Sequence, residues 1–210
     1  MQQLLPLLAH YQLVRADTTH PRRGEFEAFI SQRYQLAFDA DIQGFMPLLV
    51  GLCDTQGKLL SVCGLCLAKG HSLFLEQYLN APAQTLLSRH FAQPISRHDI
   101  VEIGQLASFS SNLGLIHFTL LAQFLTEQGL QWAILTATGP LAALIKRFGL
   151  NTTVLSDANS DDLADSKTQW GRYYQQRPQV MAGNIDDSLT RLNQCLARRE
   201  RRASAFSKVA

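Results

Sequence analysis

A chain of 210 residues with 46% apolar and 17% charged side chains can bury a full core as one domain, and it is too apolar to stay disordered. The net charge of +2 conceals an asymmetry: residues 191–210 hold six basic side chains (Arg191, Arg198, Arg199, Arg201, Arg202, Lys208) against Glu200, leaving residues 1–190 with 13 basic and 16 acidic, a net of −3. The body is therefore no nucleic-acid binder; a single domain over 1–190 and a basic C-terminal helix or tail over 191–210 are expected, the tail alone suited to weak contact with an anionic membrane or an acidic protein.

In chain order, MQQLLPLLAHYQLVR has no basic residue ahead of its apolar part and is interrupted by Pro6, so it reads as neither signal peptide nor membrane span, and a cytoplasmic location is expected. From Pro21 to Phe38 apolar residues recur at helical spacing (Phe26, Phe29, Ile30, Ala37, Phe38), with Arg33 on or beside the stripe. PLLVGLC and KLLSVCGLCLA, separated by DTQG, predict a hairpin. SLFLEQYL, which carries Glu76, supplies a third strand and completes an antiparallel meander. Cys63 and Cys66, three apart on a strand, point to opposite faces and read as core thiols rather than a zinc or redox pair.

Residues 81–91 suit a helix, HDIVEIGQLAS a strand and LGLIHFTLLAQFLTEQG a long apolar-faced helix closed by Gly129. LQWAILTAT then reads as a strand, GPLAALIKRFG as a helix and NTTVLS as a short strand, which makes a βαβ crossover in a parallel or mixed sheet. WGRYYQQRPQVMAGNI is aromatic and extended, and DDSLTRLNQCLARRERR is an amphipathic helix with acids first and arginines last, as the helix dipole favours.

The chemistry concentrates in VEIGQLASFSSNLG, residues 101–114. Simple alternation sets Glu102, Gly104 and Leu106 on one face of a buried strand. A carboxylate there either pairs with a cation such as Arg33 or has its pKa raised, as a general base for an amine requires. Gly104 marks a bulge or a splayed strand. FSSNLG then enters a helix, where Ser or Asn either caps the first turn or, with the helix amides, faces an anion. Glu76 is a second strand carboxylate able to orient substrate, and Thr136 and Thr138 end the next strand toward the same opening. His117 reads as a core histidine; the other histidines lack metal spacing and no Gly-x-Ser-x-Gly motif is present, so no metal site is expected.

The order helix, meander, central strand, loop, long helix, strand, helix, short strand, with Arg147-Phe148-Gly149-Leu150 ending the second helix, resembles the GNAT superfamily of N-acyltransferases over residues 21–156. LFLEQYLNAP, DIVEIGQLAS, the Trp132–Thr138 strand, WGRYY, RPQV and AGNI together resemble the thermostable hemolysin family across most of the chain. A looser likeness is to acyl-homoserine lactone synthases, whose functional arginine on the first helix and glutamate on the central strand correspond to Arg33 and Glu102, although a tryptophan-rich N-terminal portion is absent.

These resemblances imply an α/β GNAT-like fold with a mixed, mostly antiparallel sheet flanked by helices. They imply transfer of an acyl group from acyl-CoA or an acyl-carrier protein to a small-molecule amine, with Glu102, Arg33 and Glu76 as catalytic residues. The donor would lie along Leu106, Ser108, Ser110, Ser111, Asn112 and Gly114, although this loop lacks the leading Gln or Arg of the GNAT pattern and has one glycine where two small residues are expected. The alternatives are a non-enzymatic membrane-perturbing protein acting through the basic C-terminus and a homoserine-lactone-type synthase.

Overall fold

The computed structural model describes residues 6–164 and 169–206; Lys208 and the side chain of Ser111 lie outside the described residues. The core is a seven-stranded sheet ordered β1-β2-β3-β4-β5-β7-β6. Its strands are β1 (Tyr11–Ala16), β2 (Leu48–Asp54), β3 (Leu59–Leu67), β4 (Ile100–Ser108), β5 (Trp132–Ala137), β6 (Thr153–Asp157) and β7 (Gln179–Asn184). Among the described residues five α-helices accompany them: α1 (Arg23–Phe38), α2 (Ala83–Phe91), α3 (Gly114–Glu127), α4 (Gly139–Arg147) and α5 (Ile185–Phe206). Every strand pair is antiparallel except β4 with β5, which α3 joins as a crossover. This is the α/β, GNAT-like architecture expected.

The hairpin forms where DTQG predicts it: Gly57 takes φ 81° and the Asp54 carboxylate accepts from the Gln56 and Lys58 amides. One face of the sheet packs on α1 and α2, and the other on α3, α4 and α5. Cys63 and Cys66 fall in opposite layers. Leu192 and Leu196 of α5 are 1% and 0% exposed, so the helix runs through the expected boundary at residue 190 and its apolar side fills the core. Arg198, Arg199, Arg201 and Arg202 stay exposed.

Two strands escape the pattern. β1 occupies the stretch weighed above only as a leader, and β7 is a short part of the aromatic segment, inserted between β5 and β6. The expected third strand is instead a 3-10 helix, Phe74–Tyr78. β4 already holds the free edge of β3, and carboxylates satisfy the segment's amides: Glu76 accepts from Leu73 N, and Glu102 accepts from Phe74 N and Leu75 N; Glu76 also accepts from Ala83 N at the start of α2.

Candidate functional site

β4 and β5 pair only from Ile100 opposite Trp132 to Ile103 opposite Leu135, although β4 continues to Ser108. Beyond Ile103 the β5-side backbone of β4 has no neighbouring strand. On the β3 side the register slips between Val62, opposite Ala107, and Gly64, opposite Gly104, so one residue is extra. The bulge expected at Gly104 centres one residue later, on Gln105 at φ 51°, a conformation costly for a side chain other than glycine. Two hydrogen bonds hold it: Gln105 Nε2 donates to Gly44 O at 2.7 Å, and Oε1 accepts from Met46 N at 3.0 Å. The extra residue reverses the alternation, so Leu106 packs with the α3 layer instead of sharing the face of Glu102.

Gly104 serves close approach as well. A Cβ there would stand 2.5 Å from Met46 Cε, and one on Gly64 would stand 2.8 Å from Met46 Sδ, so the paired glycines seat the Met46 side chain on the sheet. The Met46 segment is tied down by Arg23, whose guanidinium donates to Ala16 O, Met46 O and Pro47 O.

The opening between β4 and β5 continues into a cavity of about 1180 Å³ reaching both faces of the sheet. Of the expected site residues, Arg33, Glu102, Leu106, Ser108, Ser110 and Gly114 line it, as do Thr136 and Thr138; Glu76 and Asn112 do not. Met46, Phe74, Trp170 and Tyr173 also line it and were not anticipated. The turn before Met46 and the aromatic segment carry no motif, and nothing local ties them to β4.

Glu102 is 2% exposed, with its oxygens 2.7 Å from Phe74 N and 3.2 Å from Leu75 N. Burial pushes its pKa up to about 7 against the lowering effect of the two amides, and the charge of Glu76 adds to the rise. The pairing with Arg33 does not occur: Arg33 Nε donates to Ser108 O at 2.8 Å and its guanidinium lies 6.0 Å from the Phe109 ring. Glu76 is engaged elsewhere, in a two-pronged ion pair with Arg97 at 2.6 and 2.7 Å. That pairing and its two amide partners pull its pKa down to about 2.

The loop after β4 is short. Ser108 Oγ donates to Ser110 O and accepts from Ser110 N, a single turn spans Ser111–Leu113, and α3 begins at Gly114. Neither Ser110 nor Leu113 caps its turn with a side chain, and the Ser111 side chain lies outside the described residues. Gly114 has ordinary helical dihedrals; a Cβ on it would reach 3.2 Å from Leu144 Cδ2, so its absence lets α4 pack against the start of α3. The basic end of α5 arrives at the same place, where Arg199 Nη1 donates to Asn112 O at 3.2 Å and Cys195 Sγ donates to Phe148 O. Exposed Lys146 and Arg147 close α4 beside it.

His117 is a satisfied core histidine that also borders the cavity. Ser61 Oγ gives its proton to Ala107 O, so it accepts from His117 Nδ1 at 2.8 Å; Nε2 is then the acceptor facing the Cys63 thiol at 3.8 Å. Burial holds the imidazole neutral, with its pKa lowered to about 4.

A mostly antiparallel sheet whose single parallel pair splays is a fold shared with solved acyl-homoserine lactone and N-acyl amino acid synthases. The chain is similar to the AHL synthase LasI (13% identity, 84% of this chain and 90% of that chain, TM-score 0.54). It is likewise similar to FeeM, an N-acyl amino acid synthase from uncultured soil microbes (12%, 85% and 93%, 0.55), and to MesI, a CoA-dependent acyl-homoserine lactone synthase (10%, 88% and 94%, 0.53). Residues 16–189 match the family described as thermostable hemolysin, and the chain belongs to that family. No curated protein matches it in sequence. No helix among the described residues is long and apolar enough to cross a membrane.

Proposed function

We propose that the protein transfers an acyl group from a thioester donor, acyl-CoA or acyl-carrier protein, to a small-molecule amine. The observation that carries this reading is Glu102: a buried carboxylate whose proton affinity is matched to neutral pH, facing a cavity that opens where two parallel strands part. The amine nitrogen attacks the thioester carbonyl carbon, its proton passes to Glu102, the C–N bond forms and the C–S bond breaks as the thiolate leaves. Unpaired β4 amides beyond Ile103 are available to the donor's amide-rich arm, and the turn at residues 110–114 to its phosphate. Arg199 brings positive charge to that turn through Asn112 O, and the exposed Arg198, Arg202, Lys146 and Arg147 extend it along the same ends of α5 and α4. Arg33 shapes the loop through Ser108 O rather than meeting Glu102, and Glu76 acts as a scaffold ion.

The test is thiol release from decanoyl-CoA and from a decanoyl-carrier protein with a panel of amines. Wild-type turnover is expected to rise with pH through about 7 as Glu102 loses its proton. Glu102→Gln is expected to lower kcat about a hundredfold and to remove that limb. Wild-type rate and pH profile in the folded variant would overturn the reading.

A further inference from the structure

On the Glu102 side of the sheet the cavity is walled by rings. Phe74, the residue whose amide binds Glu102, lies 5.8 Å from Trp170 and 6.1 Å from Tyr78, and Trp170 lies 5.3 Å from Tyr173. All four residues line the cavity with Glu102. Their placement is built rather than incidental. Gly171 sits at φ 51° with no room for a Cβ against the carbonyls of Phe38 and Asp39, Arg172 N donates to Phe38 O at 2.6 Å, and Gln169 exchanges backbone hydrogen bonds with Asp41, so the backbone is pinned beyond the end of α1 on either side of Trp170. The Tyr78 hydroxyl is already taken by Tyr174, at 2.6 Å.

Trp170 Nε1 is the exception to this saturation. It is buried and has no hydrogen-bond partner among the described residues, and a buried N–H donor left unmade is costly enough to need an explanation. The charge inventory limits what can meet it. Among the described residues Arg33 is the only lysine or arginine lining the cavity, and it is held at Ser108 O and the Phe109 ring. A carboxylate beside Trp170 would find no free counter-ion among those residues. A neutral oxygen has no such penalty. Aromatic faces, in turn, attract an incoming ammonium, and a neighbouring carbonyl makes that ammonium easier for Glu102 to deprotonate.

We infer that the chamber between Glu102 and Trp170 is the acceptor site, and that it selects a primary amine on an apolar or aromatic skeleton bearing a neutral carbonyl oxygen, bound by Trp170 Nε1–H. Calling the ligand the acceptor rests on the acyl-transfer reading; the binding preference itself does not.

The experiment is calorimetric titration of the full chain with three probes: phenylalaninamide, phenylalanine and 2-phenylethylamine. Phenylalaninamide is expected to bind about tenfold more tightly than 2-phenylethylamine, the value of one buried hydrogen bond, and phenylalanine no more tightly than 2-phenylethylamine. Trp170→Phe keeps the ring and removes the N–H, so it should bring the amide and the plain amine within about twofold while leaving 2-phenylethylamine unchanged. An intact tenfold preference in that variant, phenylalanine as the tightest ligand, or no binding of any probe to the folded wild type would overturn the inference. Should Trp170→Phe fail to fold, the wild-type order alone decides. Binding in the expected order without turnover of either thioester donor would sink the acyl-transfer reading and keep the site; turnover indifferent to the carbonyl would do the reverse.

Discussion

Glu102 and His117 pull stability in opposite directions over nearly the same pH window. The glutamate's folded pKa, about 7, lies above its ordinary 4.5, so its contribution is fully present below 4.5 and is lost as pH rises through 7. The histidine's folded pKa, about 4, lies below its ordinary 6.5, so its contribution is present above 6.5 and is lost as pH falls through 4. Each shift corresponds to about 3 kcal/mol, and in the wild type the two slopes largely cancel. Removing either should expose the other: melting temperature is expected to rise between pH 4 and 6.5 in Glu102→Gln and to fall between pH 4.5 and 7 in His117→Gln, by roughly 5–10 °C in each case. Calorimetric scans across pH check both, and two flat profiles would refute the linkage. Both residues could be read from the sequence, since a carboxylate among Val101 and Ile103 must be buried and a histidine on an apolar helix face belongs to the core. Leu106 could not, because one inserted residue reverses alternation and leaves no mark in composition.

The element that misled the reading also does the most to position the site. LFLEQYL alternates like a strand, yet its Phe74 and Leu75 amides are claimed by the Glu102 carboxylate of β4, and a local pattern cannot register such a partner. Arg97 fastens this 3-10 turn, bridging Glu76 to Ala68 O, His71 O and Gln84 Oε1. Arg97→Met should therefore destabilise the fold by about 2 kcal/mol, a value reduced for the partial exposure of the pair. It should also lower kcat more than it raises the amine KM, because the Phe74 and Leu75 amides that hold Glu102 would drift. Denaturant melts combined with steady-state kinetics test this, and a variant with unchanged kcat would separate the turn from the chemistry.

Across the whole molecule, the meander, the crossover and the amphipathic last helix follow from periodicity, while β1 and β7 emerge only when the sheet closes around them. Arg199 looked like part of a tail because its contact with Asn112, in the loop after β4, spans 87 positions in sequence. If it and its neighbours serve the donor, reversing Arg198, Arg199 and Arg202 to Glu should raise the donor KM about tenfold, leave kcat near wild type and abolish the weakening of donor binding by salt. Kinetics from low to high ionic strength check this, and an unchanged KM would return the arginines to the role of solvated charges.

The gap between β4 and β5 bears on the end of the reaction as much as on its start. On the proposed reading a product has its new amide beside Glu102 on one side of the sheet and its alkyl tail beside Phe118, Leu135 and Leu144 on the other. Such a molecule is threaded through the backbone like a bolt through a plate. Once the carrier thiol has gone it withdraws lengthwise or slips out where the strands part, and on either route the longer the tail, the more turnover is set by extraction rather than by bond making.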